Sequence, residues 1–130
     1  MSQDYQQQLD QILAKHERWL AGTGGIRVYF TAMHLGAVGV SFRNANLRDA
    51  HLSGADLQGA VGILTVGPCD GWILYAIQHD DGPRIHAGSH WFTVAEARAH
   101  WSGSEHGEKM IAGVDALLTL AQAHGWPMPR

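Results

Sequence analysis

One cysteine, Cys69, is all the thiol this 130-residue chain has. That excludes an intramolecular disulfide and any four-cysteine metal site, and it suits a reducing compartment. A run of about 18 apolar residues is missing as well, so no membrane-spanning helix is expected. No secretory leader is legible at the start. These features together predict a soluble, cytoplasmic protein. An excess of positive charge is also lacking. The 12 Asp and Glu outnumber the 9 Lys and Arg, for a net charge of −3. General nucleic-acid binding draws most of its affinity from a basic patch, so direct binding of nucleic acid is not expected.

Glycine, by contrast, is abundant: 16 of 130 residues, well above the usual ~7%, which suits a turn-dense fold. The most ordered stretch is residues 40–60. Small residues recur there at every fifth position, Ala45, Ala50, Ala55 and Ala60. Large apolar residues follow the same beat at Phe42, Leu47, Leu52 and Leu57. A helix of 3.6 residues per turn would smear that row around its circumference. On extended segments, residues two apart face the same way, and the polar pair between blocks turns the chain. Each unit is too small to bury its own apolar face, so stacking must stabilise it.

Ala45-Asn46-Leu47 and Ala55-Asp56-Leu57 match the Ala-(Asp/Asn)-Leu pattern of the pentapeptide-repeat family, and Ala50-His51-Leu52 differs at its middle position only. The stretch therefore resembles that family. The resemblance implies a right-handed four-sided β-helix with the central Leu or Phe pointing inward. Before it, Val28-Tyr29-Phe30 and Met33-His34-Leu35 keep the small–x–large spacing, and Val38-Gly39-Val40 is a third attempt. The register then slips by two, because Val40 must also serve as the small residue before Phe42, so residues 36–39 read as a bulge or bend. Six or seven sides make under two coils of four, too few to stand alone.

Other elements must complete the fold. Residues 4–21 predict a helix with the stripe Leu9, Ile12, Leu13, His16, Trp19 and Leu20. The sequence Gly22-Thr23-Gly24-Gly25 ends it. It lacks the Lys-Ser/Thr of a phosphate loop and follows a helix rather than a strand. This helix is expected to cover an open end of the repeat, with Trp19 and Leu20 over it. Residues 62–68 lead out of the repeat. A β-hairpin follows over residues 71–78 and 84–88, joined by the turn Asp80-Asp81-Gly82-Pro83. Thr93 and Glu96 form a capping box that opens a short helix to Trp101. A last helix over residues 108–124, with the stripe Ile111, Val114, Leu117, Leu118 and Ala121, is expected to pack across the hairpin. The fold class is α+β in one compact unit: a capping region 1–25, a pentapeptide-repeat-like β-solenoid segment 26–62, and an α/β tail 63–130.

No catalytic constellation is expected, and neither cofactor nor metal. Cys69 has no identifiable base beside it and reads as a structural thiol. The histidines His86, His90, His100 and His106 offer no set of three or four converging zinc ligands. Charge is uneven, however. Residues 1–60 balance, while residues 61–130 carry seven acids, Asp70, Asp80, Asp81, Glu96, Glu105, Glu108 and Asp115, against four bases. These acids are the candidate partner-binding surface, either a solvated face or groups standing in for DNA phosphates. The outward face of the repeat is mixed, with Arg43, Arg48 and His51 beside Asn46 and Asp56. Most of the five tryptophans are expected in the core, and an exposed one beside acids would suit a protein interface.

The tail carries a second resemblance. The segments 72–77, His79-Asp80-Asp81-Gly82, 85–90 and 92–96, with a terminal helix, are similar to small proteins of bacteriophages and prophages. In those proteins a Cys follows the Gly where Ser89 stands here, so any chemistry of that thiol is absent. The class most resembled is the small anti-CRISPR proteins. That resemblance implies a non-enzymatic inhibitor in the host cytoplasm, a monomer or small oligomer, that binds a type I CRISPR effector subunit and blocks target DNA. The alternatives are a structural or accessory phage protein that assembles through the repeat, and, from the repeat family, a topoisomerase-binding DNA mimic.

Overall fold

The structure is a computed structural model that describes residues 5–30, 39–52, 55, 57, 59–105 and 107–129. Its centre is a four-stranded antiparallel sheet in the order β1-β2-β3-β4: β1 (Ile63–Cys69), β2 (Trp72–Ile77), β3 (Arg84–Ala87) and β4 (His90–Thr93). The repeat segment lies against one face, and helix α1 (Tyr5–Leu20) packs on the repeat. Helices α2 (Val94–Trp101) and α3 (Gly107–Ala123) lie against the other. Alternation along the strands sorts the side chains between the two layers. Ile63, Tyr75 and Ile77 join the repeat's Phe42, Leu47 and Leu52 in one core. Leu74, Ala76, Ile85 and Ala87 join Val114, Leu117 and Trp101 in the other.

The expected hairpin is present but forms only the middle of this sheet, with Tyr75 opposite His86. Two outer strands were not foreseen. β1 occupies most of the residues expected to lead out of the repeat. Its Gly67-Pro68 reads as a turn in the sequence, but Pro is tolerated on an edge strand, and the register breaks there, between Val66 and Cys69. β4 is only four residues long and runs directly into α2.

In the repeat, four β-turns follow the five-residue beat. The amides of Ala45, Ala50, Ala55 and Ala60 donate to the carbonyls of Phe42, Leu47, Leu52 and Leu57 at 2.9–3.0 Å. The third residue of such a turn needs positive φ in its type II form. Asn44, Asp49 and Gly59 supply it, at 61°, 60° and 82°. These residue types tolerate the left-handed region. Asp56 and residues 33–35 and 36–38 of the predicted repeat lie outside the described residues.

Two isolated bridges within the repeat segment are parallel. Ser41 bridges to Val61, 20 positions on, which is the length of four pentapeptides. Tyr29 bridges to His51, 22 positions on. From Tyr29 to Ser41 is 12 positions and from His51 to Val61 is 10, while the predicted slip, at residues 36–39, lies mostly outside the described residues. Val28 and Phe30 are buried while Tyr29 between them is exposed, as the small–x–large spacing requires.

α1 covers one side of the repeat, though not through the residues expected. Leu9 and His16 are buried and Ile12 and Leu13 pack on the same core, whereas Trp19 is 39% exposed. Trp19 and Leu20 sit in the last turn, beyond the covered residues. Gly22 and Thr23 close the helix by donating to the carbonyls of Trp19 and Arg18, a Schellman arrangement. The capping box of α2 forms as predicted: Glu96 N–H donates to Thr93 Oγ1, and Thr93 N–H to Glu96 Oε1 at 2.8 Å. α3 packs on β1 and β2. Its buried face includes Met110 and Gly113, which the predicted stripe lacked. A Cβ on Gly113 would lie 2.5 Å from Leu74 Cδ1 and 2.7 Å from Cys69 Sγ, so a glycine there sets how closely helix and sheet approach. Cys69 is accordingly a partly buried residue under α3.

Candidate partner-binding surface

Backbone groups at both sides of the repeat are met by side chains from its neighbours. On the α1 side, His16 Nδ1 accepts from the Val28 amide at 3.1 Å, so Nε2 carries the proton and donates to the Arg48 carbonyl at 2.7 Å. Gln6 makes two bonds to the Ser41 backbone, at 2.6 and 3.0 Å. On the sheet side, His79 Nε2 bonds the Ala45 carbonyl at 2.9 Å, His86 Nε2 bonds that of Ala50 at 3.0 Å, and Tyr75 donates its hydroxyl to that of Leu52 at 3.2 Å. Burial depresses the pKa of both His79 and His86 and raises that of Tyr75. His79 and His86 thus each tie the sheet side to a carbonyl of the repeat.

The seam between repeat and sheet opens at the start of β2. The hairpin Cys69–Trp72 turns on Asp70 and Gly71, both at positive φ, which throws Trp72 to the rim, 45% exposed. Gly88 leaves room for its ring, because a Cβ on Gly88 would overlap it. Trp72 walls two clefts. One, of about 390 Å³, lies against the repeat and includes Arg27, His51, Leu52, Tyr75, His86 and Ser89. The other, of about 260 Å³, includes Asp70, His90, His100, Trp101 and Glu105. His90 and His100 stand 4.6 Å apart between ring centroids. Burial, and then the neighbouring His100, depress the pKa of His90. Among the described residues no group of three or more His, Cys, Asp or Glu is placed to hold a metal ion, and no helix is long and apolar enough to cross a membrane.

The seven acids do not form one row. Asp70 and Glu105 meet at the smaller cleft, where Lys109 Nζ stands 4.0 Å from Asp70. Asp80 and Asp81 lie in the β2–β3 turn, at the opposite end of β2, and the Arg84 guanidinium grips Asp81 through two bonds of 3.0 and 3.1 Å. That contact holds the Asp81 carboxyl below its ordinary pKa. Asp115 pairs with Arg98 at 2.7 Å. Glu96 is occupied by the capping box, whose Thr93 amide lowers its pKa. Asp80, Glu105 and Glu108 make no ion pair among the described residues.

Of the five tryptophans, Trp101 and Trp126 are buried and Trp91 is partly so, but Trp19 and Trp72 are exposed. Three of the five therefore lie in the cores, and Trp72 beside Asp70 matches the interface pattern. Sequence reasoning missed Trp72 as a rim residue because it missed β1. The signal was available: Asp70-Gly71 between two apolar runs is a strong two-residue hairpin sequence. Gly88-Ser89 was a second such signal, for β4.

A family model, Pentapeptide repeats (8 copies), matches residues 37–61, which is 25 of the 130 residues. The match covers the turns and the 20-residue bridge described above. No curated protein and no solved structure matches the chain.

Proposed function

We propose that this is a non-enzymatic binding protein that acts by occupying a partner protein's surface, with Trp72 as its anchor. The observation that carries the reading is Trp72 itself: a large aromatic, 45% exposed, with room for its ring left by Gly88, between an acid-bearing cleft and one that contains Arg27. Interface anchors are enriched in Trp because its rigid ring buries much area at little entropic cost. The described residues of the repeat segment are read as part of a short four-sided β-solenoid that serves as the scaffold, a reading supported by the 20-residue bridge and the five-residue turns. Repeats of this type are generally protein-interaction modules.

The partner is a host type I CRISPR effector, and the protein is a phage-encoded inhibitor that keeps target DNA from docking. Support for this comes from the likeness of the tail to small phage proteins. Mimicry of phosphates falls to Asp80, Glu105 and Glu108, the acids of the tail that make neither an ion pair nor a helix cap among the described residues. The test is retention of purified effector on immobilised protein, with and without target DNA. Wild type should retain effector, and DNA should compete. Trp72→Ala, checked for folding by circular dichroism, should weaken retention at least tenfold. Failure to retain effector removes that partner. Equal retention by the variant removes the Trp72 surface. Stacked oligomers in light scattering, with no competition by DNA, would favour an assembly protein instead.

A further inference from the structure

The larger cleft has features that protein docking does not use. His86 is 3% exposed. Its Nε2 is engaged by the Ala50 carbonyl, but its Nδ1 has no hydrogen-bond partner among the described residues. A buried polar atom without a partner is costly, and in folded proteins such atoms are uncommon. His86 is one of the residues that line this cleft. The second feature is charge. Arg27 stands at this cleft, and among the described residues no carboxylate lines it, although the chain as a whole is acidic. The Arg27 side chain is already fixed: Nε donates to the Asp49 carbonyl at 2.6 Å, and its guanidinium lies 5.3 Å from the ring centroids of both Trp19 and Tyr29. A cation held in place loses little freedom when it binds an anion. The third is the walls. Trp72 gives a flat aromatic surface, and Leu52 and Ile73 are apolar. The volume, about 390 Å³, falls in the range of small-molecule sites.

We propose that this cleft binds a planar aromatic monoanion that carries one N–H or O–H donor, such as a heteroaromatic carboxylate. Its ring lies on Trp72, its carboxylate pairs with Arg27, and its donor satisfies His86 Nδ1. The site goes beyond the partner reading and does not depend on it.

The probe is indole-3-carboxylate, titrated into the full-length ¹⁵N-labelled protein without any effector. The Trp72 indole N–H resonance, assigned with Trp72→Phe, and the His86 Nδ1 resonance should both shift and saturate together. Two analogues replace variants that could perturb the fold. 1-Methylindole-3-carboxylate lacks the donor and should bind about tenfold more weakly. Indole lacks the anion and should weaken by a similar factor. Arg27→Gln should lose the preference for the carboxylate over indole. No saturable shift at millimolar probe would overturn the proposal. So would equal affinity for the N-methyl analogue, or a Trp72 shift without a His86 shift.

Discussion

At the residue scale, the fold depends on a few side chains that serve backbone far away in sequence. His16 alone satisfies an amide at position 28 and a carbonyl at position 48. His16→Ala leaves both buried or partly buried groups unpaired, each at about 1–3 kcal/mol. A loss of about 2–4 kcal/mol in urea denaturation is expected, with partial recovery in His16→Gln, which can both donate and accept. Asp49 tests the turns. Its φ of 60° suits glycine better than any residue with a Cβ, and the left-handed region costs such residues about 1–2 kcal/mol. Asp49→Ala and Asp49→Gly remove the same carboxylate, so their difference isolates the backbone. The glycine variant should be the more stable by about 1 kcal/mol. Equal midpoints would show that the turn does not constrain that residue.

At the element scale, the seam between repeat and sheet is sensitive to acid. His79 and His86 both have depressed pKa values, with burial as the main cause. Each therefore binds a proton less readily folded than unfolded. Their contribution is full above the unfolded value, about 6.5, and is lost as pH falls below it toward the depressed folded values. Urea midpoints should fall between pH 7.5 and pH 5.5, and His86→Gln should flatten the slope. A midpoint that rose on acidification would contradict this arrangement. Some elements were legible beforehand. The capping box of Thr93 and Glu96 appeared where expected, because both bonds lie within one helical turn. The five-residue turns did too, since Asn44, Asp49 and Gly59 hold the same local position in successive blocks. β1 was not read because Gly67-Pro68 obscured it, and the Asp70-Gly71 signal went unused. The acidic surface was not resolved either. Proximity in sequence says nothing of Arg98, which neutralises Asp115 from 17 positions away.

For the whole molecule, one sheet is shared by two cores. The repeat has no face of its own to close on, and the helices α2 and α3 have no other surface to cover. Neither layer should unfold alone. Tryptophan fluorescence, reporting chiefly on Trp101 and Trp126 among the helices, and far-ultraviolet dichroism should give coincident denaturation curves. His16→Ala, on the far side of the sheet from those tryptophans, should shift the fluorescence midpoint as much as the dichroism midpoint. Separate transitions would mean that the repeat and the helical layer are independent units.

The five-residue beat and its turns, the helices and their caps, and the central hairpin were determined by the sequence alone. Each rests on residues a few positions apart, whose spacing fixes backbone geometry. The tertiary structure decided that the beat is one face of a sheet-centred sandwich, that its carbonyls are met by His16, His79 and His86, and that Trp72 is left at the rim of two clefts. Those outcomes depend on contacts between residues 20 to 36 positions apart. Chain closure over such distances is governed by packing of whole layers, which no local pattern encodes.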